Sequence, residues 1–464
     1  MHMSRSRVIA TLTPLVLAGM VRAAVPVVER SSVSISQDAD SALVTVGYRL
    51  TGADAVITVD IQTNAGDNAW ASIGWAHQRH WAGDVNKLVE ADGEVVRTAT
   101  WNAEADWPGF RLTGRTRAVV KAWPRSSPPD YMIVDLTAPS NVLFYAAAEA
   151  LPFGGVTNDL YKGEKLVMRR IRAANVTWAM GSPKSELGRS VEYDETIQYV
   201  RLTEDYYIGV YPVTQRQFLR VLNKRNPSHF FDGPKNWFRP VECVAWEGAT
   251  GWQWVRGGDW IADGHDKVHA DSFMAALRNR SGLMFDLPTS AQWEFACRAG
   301  TTSALYDGSN PTYTTTDGVT WSAETDAIGW NYHNNREDPD FAGNDEGFGT
   351  HVVGLKPANP WGLYDMLGNV WELCLDWYER TRVVTDDVLV DPKGAAVQGA
   401  KSEYSGHVWR GGSSSLDKNG AYLRSAAYYS YGTPSSRFQC TGFRLACPVW
   451  AGGIGPVSKA GGEE

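Results

Sequence analysis

The sequence has little cysteine, no excess of positive charge and, after its first two dozen residues, no long apolar run. Five cysteines in 464 residues, Cys243, Cys297, Cys374, Cys440 and Cys447, are odd in number and contain no C-x-x-C pair. They build neither a zinc framework nor a dense disulfide scaffold, and at least one thiol stays unpaired or pairs between chains. Small apolar packing is the expected place for Cys243, Cys297 and Cys374. Lys plus Arg totals 44 against 52 for Asp plus Glu, a net charge of -8. A phosphate backbone or an anionic membrane would meet no general attraction, so nucleic acid is not an expected partner. Without a later run of about 18 apolar residues, no membrane span is expected in the mature chain. The nine histidines show no metal-ligand spacing. His77 and His80 lack a third ligand nearby, and His265 and His269 sit with Asp263, Gly264, Asp266 and Lys267 in what reads as a solvated loop. Long Ala/Glu/Lys/Leu periodicity is scarce as well, which excludes a helical bundle or coiled coil.

What is present is aromatic and turn-rich: 20 Trp, 19 Tyr, 45 Gly and 22 Pro describe aromatic anchors joined by turns. Arg5 and Arg7 precede an apolar run from Val8 to Met20, and Ala23-Ala24 follows. Residues 1–24 therefore read as a secretory signal, placing the protein as secreted, periplasmic or at the cell surface. From Ser34 onward come short alternating runs, Leu43 to Leu50 and Ala55 to Gln62 among them, broken by Gly-Ala-Asp and Asn-Ala-Gly-Asp. This period of two predicts a small all-β sandwich over 30–150, with Ala118–Trp123 and Met132–Leu136 as its last strands. A boundary is expected at Gly154-Gly155, then a second domain over 155–449 and a flexible tail over 450–464. Helical spacing of Phe218, Val221 and Leu222 predicts a helix after the strand at Tyr207–Tyr211. A second helix is expected over Ser290–Ala296, with Thr289 as its N-cap.

Within the second domain a series of signatures appears in order: Met180-Gly181-Ser182, Tyr211-Pro212-Val213-Thr214, Arg239-Pro240-Val241-Glu242 and Leu287-Pro288-Thr289-Ser290-Ala291-Gln292-Trp293-Glu294. They continue with Gly362-Leu363-Tyr364-Asp365-Met366-Leu367-Gly368-Asn369-Val370-Trp371-Glu372, Arg410-Gly411-Gly412-Ser413 and Gly442-Phe443-Arg444-Leu445. Together they resemble the formylglycine-generating enzyme family, also called the sulfatase-modifying factor domain. The resemblance implies an α+β fold of C-type-lectin-like kind, with little regular secondary structure, behind the sandwich. It also implies two copper(I)-binding cysteines shortly after Gly-Gly-Ser, where this chain has Leu416 and Ala421. Copper(I) needs soft thiolates, so copper is not expected and sulfatase activation becomes the rival reading, with Cys440 as a relocated ligand. The iron-dependent sulfoxide synthases of the same superfamily carry a His-rich helical domain ahead of this one, whereas strands are expected here.

The resemblance further implies a structural calcium held by Asp365, Gly368, Val370 and Glu372, since hard oxygen donors on a glycine turn suit that ion. A second family calcium site would need an amide ligand near Ile328, which is missing. Between Trp409 and Ala446, Tyr, Ser and Gly dominate. That composition offers large amphipathic contact area at low conformational cost. The segment is similar to the variable region of proteins diversified by retroelements. Its candidate ligand-binding residues are Ser414, Ser415, Asp417, Asn419, Tyr422, Tyr428, Tyr429, Tyr431, Phe438, Gln439 and Thr441. The expected function is binding of a protein or surface ligand without turnover. Besides the formylglycine-generating oxidase, the other alternative is a structural envelope or adhesion component whose N-terminal module does the binding.

Overall fold

A computed structural model describes residues 24–64, 66, 69–138, 141–190, 195–231, 236–247, 254–258, 267–337, 349–379, 384–395, 406–414, 418–430 and 432–449. The expected signal segment 1–23 and the tail from 450 lie outside them, as do Ser415, Leu416, Asp417, Tyr431 and His265.

The alternating runs near the N-terminus form two packed sheets. Ala55–Asn64 pairs with Thr116–Pro124, Trp70–Ser72 and Leu88–Val89, while Leu43–Tyr48 lies between Ser34–Gln37 and Arg97–Asn102, with Trp81–Gly83 on the outer side. Every second side chain turns inward, so Val44, Val46, Ile57, Val59, Ile61 and Trp101 share one core. The strand Met132–Leu136, expected to close this sandwich, does not. Tyr131–Asp135 pairs instead with Val142–Tyr145 and Lys165–Ile171, in a five-stranded sheet completed by Tyr206–Gly209 and Ala446–Pro448. Its residues are buried on both faces, with Met132 and Val134 in one core and Tyr131 and Ile133 in another. A strand apolar on both sides needs two covers, and the outer edge of a two-sheet sandwich supplies one. The strands of the two sandwich sheets thus end at Pro124, and Tyr131–Asp135 belongs to the next sheet.

The remainder is α+β, with short helices among several small sheets. Thr214 and Thr289 each close a capping box, starting the helices Gln215–Leu222 and Ser290–Arg298. A four-stranded sheet runs Tyr428–Tyr429, His407–Arg410, Trp371–Trp377, Thr441–Phe443, and a three-stranded one runs Val176–Met180, Gln198–Leu202, Leu389–Val390. Buried arginines tie these pieces together: Arg444 to Glu372, Arg410 to Glu294, Arg424 to Glu195 and Arg256 to Asp286. Among the described residues no helix is long and apolar enough to cross a membrane, and none of the five cysteines is in a disulfide, Cys243 being half-buried and the other four buried.

Candidate functional site

The site is organised by the turn that follows the strand His407–Arg410. Arg410 is fully buried, ion-paired with Glu294 at 3.0 Å and donating to Ser290 Oγ at 2.7 Å. Gly411 and Gly412 take φ of 98° and 78°, conformations open to glycine. Further on, Asn419 accepts from the Ala421 amide and starts the short 3-10 turn Gly420–Tyr422. Arg424 anchors the next stretch, its Nη1 and Nη2 donating to Glu195 at 2.8 and 2.7 Å and Nη1 also to Glu186 at 2.6 Å. Burial works to raise the Glu195 carboxyl, yet the hydrogen bonds and charge of Arg424 hold it below its ordinary range. At Glu186 burial prevails and the carboxyl is pushed up.

Above this anchor opens a cavity of about 610 Å³ lined by Leu187, Arg189, Tyr313, Asn419, Ala421 and Tyr422, among others. Gly188 permits its shape, because a Cβ there would lie 2.6 Å from the Tyr313 ring and 2.9 Å from Ala421 Cβ. The Tyr313 hydroxyl is buried with no hydrogen-bond partner among the described residues. Tyr422 continues from the cavity into an aromatic cluster: Trp371 and Tyr429 each lie 5.7 Å from it, and Trp409 lies 6.0 Å from Tyr429 and 5.4 Å from Phe438.

The structure divides the expected binding residues. Asn419 is exposed, and Tyr422, Tyr429, Phe438 and Gln439 are half-buried. Ser414, Tyr428 and Thr441 are buried and are not among the residues lining this cavity. Ser414 Oγ donates to the carbonyls of Gly349 and Asn369, and Tyr428 packs against Tyr378, away from Asn419. Ser415, Asp417 and Tyr431 fall outside the described residues. Leu187, Arg189 and Tyr313 were not legible as site residues. They come from two distant loops with no local motif, and only the tertiary structure brings them to Asn419.

A family model described as sulfatase-modifying factor enzyme 1-like domain matches residues 170–449. The chain belongs to this family. Over 227 residues this sulfatase-modifying factor domain protein is 31% identical to the chaperone protein LppX of Paenibacillus barcinonensis, covering 44% of this chain and 74% of LppX. Over 276 residues it is 26% identical to the formylglycine-generating enzyme of Mus musculus, covering 53% and 67%. Treponema denticola variable protein 1 overlays with a TM-score of 0.42 and 26% identity, covering 61% of this chain and 95% of that one.

The side chains that the sulfatase-modifying factor resemblance assigns to calcium are engaged with the protein. Both Glu372 oxygens face the Arg444 guanidinium, at 2.7 to 3.1 Å, and Oε2 also accepts from Trp293 Nε1 at 2.6 Å. A cation beside Glu372 would therefore meet a buried positive charge. Asp365 accepts from the Gly354 amide and the Asn369 side chain, and burial pushes its carboxyl up to about 6. Gly368, at φ 85°, is required by the Trp330 carbonyl, which a Cβ would approach to 2.2 Å. Val370 packs beneath Gly442. The loop is held by Arg444 and its neighbours, and among the described residues no cluster of three or more His, Cys, Asp or Glu is placed for a metal.

Proposed function

We propose that this protein is an exported, non-catalytic binding protein on a formylglycine-generating-enzyme-like scaffold, taking a protein or surface ligand at the cavity rimmed by Asn419 and Tyr422. The cavity carries the reading: its volume lies in the range of ligand sites, and aromatic anchors and small polar groups converge on it. Ala421, which lines the cavity, stands where one of the family's copper cysteines would be and brings no thiolate, so it offers contact in place of a redox ligand. One relative, LppX, is named a chaperone protein. Retroelement diversification, if it acts here, would fall on Asn419, Tyr422, Tyr429, Phe438 and Gln439. The buried Ser414, Tyr428 and Thr441 would stay constant across related genomic copies.

Two measurements test the proposal. Copper(I) titration with oxygen uptake on a cysteine-containing sulfatase peptide should show neither stoichiometric metal binding nor turnover; both together would replace binding with oxidation. Peptides selected by display against the whole chain should lose affinity for Tyr422→Ala and Asn419→Ala variants, and equal binding to both variants would move the site elsewhere.

A further inference from the structure

A second cavity lies away from the one just described, between the three-stranded sheet and the start of the helix Ser290–Arg298. It encloses about 430 Å³, with Met180, Val200, Leu389, Val408, Trp377 and Tyr428 among its walls. The sheet strand Gln198–Leu202 alternates buried and exposed side chains, so Val200 points into the hollow while Tyr199 faces out. The parallel pairing of Val200 with Leu389 sets Leu389 beside it on the same wall.

The polar groups around this hollow are already engaged with the protein. Asp376 accepts the Ser290 amide at 2.6 Å. The Gln198 side chain donates to the Asp387 carbonyl at 2.7 Å and accepts from the Thr385 amide at 2.9 Å. The Tyr428 hydroxyl donates to the Glu379 carbonyl at 3.3 Å. The charged lining residues Glu379 and Lys393 are exposed, which places them at the mouth. A ligand bringing its own charge or hydrogen-bonding groups to the floor would lose water contacts there without gaining protein ones. An uncharged apolar body loses none and gains contact with aliphatic and aromatic walls.

We propose that this cavity is a binding site for a small, neutral, apolar molecule, planar or branched, entering past Val384 and Val390. These two valines are 39% and 46% exposed and extend the apolar lining to the surface. The site is separate in its residues from the Asn419–Tyr422 cavity, and its occupancy does not depend on that one.

The test is a fluorescence titration of the full chain with N-phenyl-1-naphthylamine, an uncharged apolar probe that brightens on burial. Saturable binding at one site per chain is expected. Val200→Trp, which fills the hollow, and Val390→Asp, which puts a charge at its exposed rim, should each weaken it by about tenfold or more. Tyr422→Ala should leave it unchanged. Val390→Asp lies at the surface and keeps the test valid should Val200→Trp fail to fold. Absence of saturation in the wild type, or equal affinity in a folded Val390→Asp, overturns the proposal; loss of binding in Tyr422→Ala instead assigns the probe to the other cavity and overturns it too.

Discussion

Arg444 and Glu372 are both almost fully buried and meet at 2.7 Å. Removing one partner leaves an uncompensated charge in the core, so Arg444→Met should cost roughly 3–5 kcal/mol in urea unfolding, whereas a pair of exposed residues would cost under about 1 kcal/mol. His407 shows a different single-residue effect. It lies between Trp246 and Trp377, with ring centroids 3.5 and 4.0 Å away, and its Nδ1 hydrogen-bonds to the Leu375 carbonyl. Burial, helped by the charge of Arg256, lowers its pKa from 6.5 to about 3. The unfolded chain takes up a proton below pH 6.5 that the folded chain refuses until about pH 3. Its contribution is therefore fully present above 6.5 and is lost as the pH falls through that window. Between about pH 7.5 and about pH 4.5 the stability advantage of wild type over His407→Gln should shrink by roughly 3 kcal/mol. A constant difference across that range would show that the ring titrates normally.

At the level of elements, turns rather than long helices carry the domain. Gly368 sits in the loop that precedes the strand Trp371–Trp377, at φ 85° and against the Trp330 backbone. Gly368→Ala should destabilise by roughly 2–4 kcal/mol, from the left-handed backbone and the close approach together, measured as a shift in the urea midpoint. The helices were legible because their start signals are local: Thr289 caps where its sequence position places it, and Phe218 and Val221 face the core as their spacing requires. Met132–Leu136 was misplaced because apolar residues on both faces, Met132 and Val134 on one and Ile133 on the other, say that both faces are covered but not by what.

For the whole molecule, calcium tests how far the family resemblance extends to this chain. A site of ordinary affinity at hundredfold excess of ligand would add about 2.7 kcal/mol to folding. Calcium added in excess, or a chelator, should leave the thermal unfolding midpoint unchanged. A calcium-dependent rise would mean that Glu372 exchanges Arg444 for the ion. The family and its α+β class were readable from motifs such as Arg410–Ser413 and Gly442–Leu445, since those residues are buried and tightly constrained. The binding residues were only partly readable. The composition of the Tyr/Ser-rich segment locates the region, but cannot tell Tyr422 at the Asn419 cavity from Tyr428, buried against Tyr378.

What the sequence alone determined is whatever depends on neighbours along the chain: strand alternation in the sandwich, the cap at Thr289, and the lack of thiolates at Leu416 and Ala421. The tertiary structure decided the rest. Which carboxylate meets which arginine, which sheet receives Tyr131–Asp135 and which loops close around Asn419 all depend on contacts between residues tens to hundreds of positions apart. Such contacts are chosen by burial and charge pairing across the fold, and no local pattern encodes them.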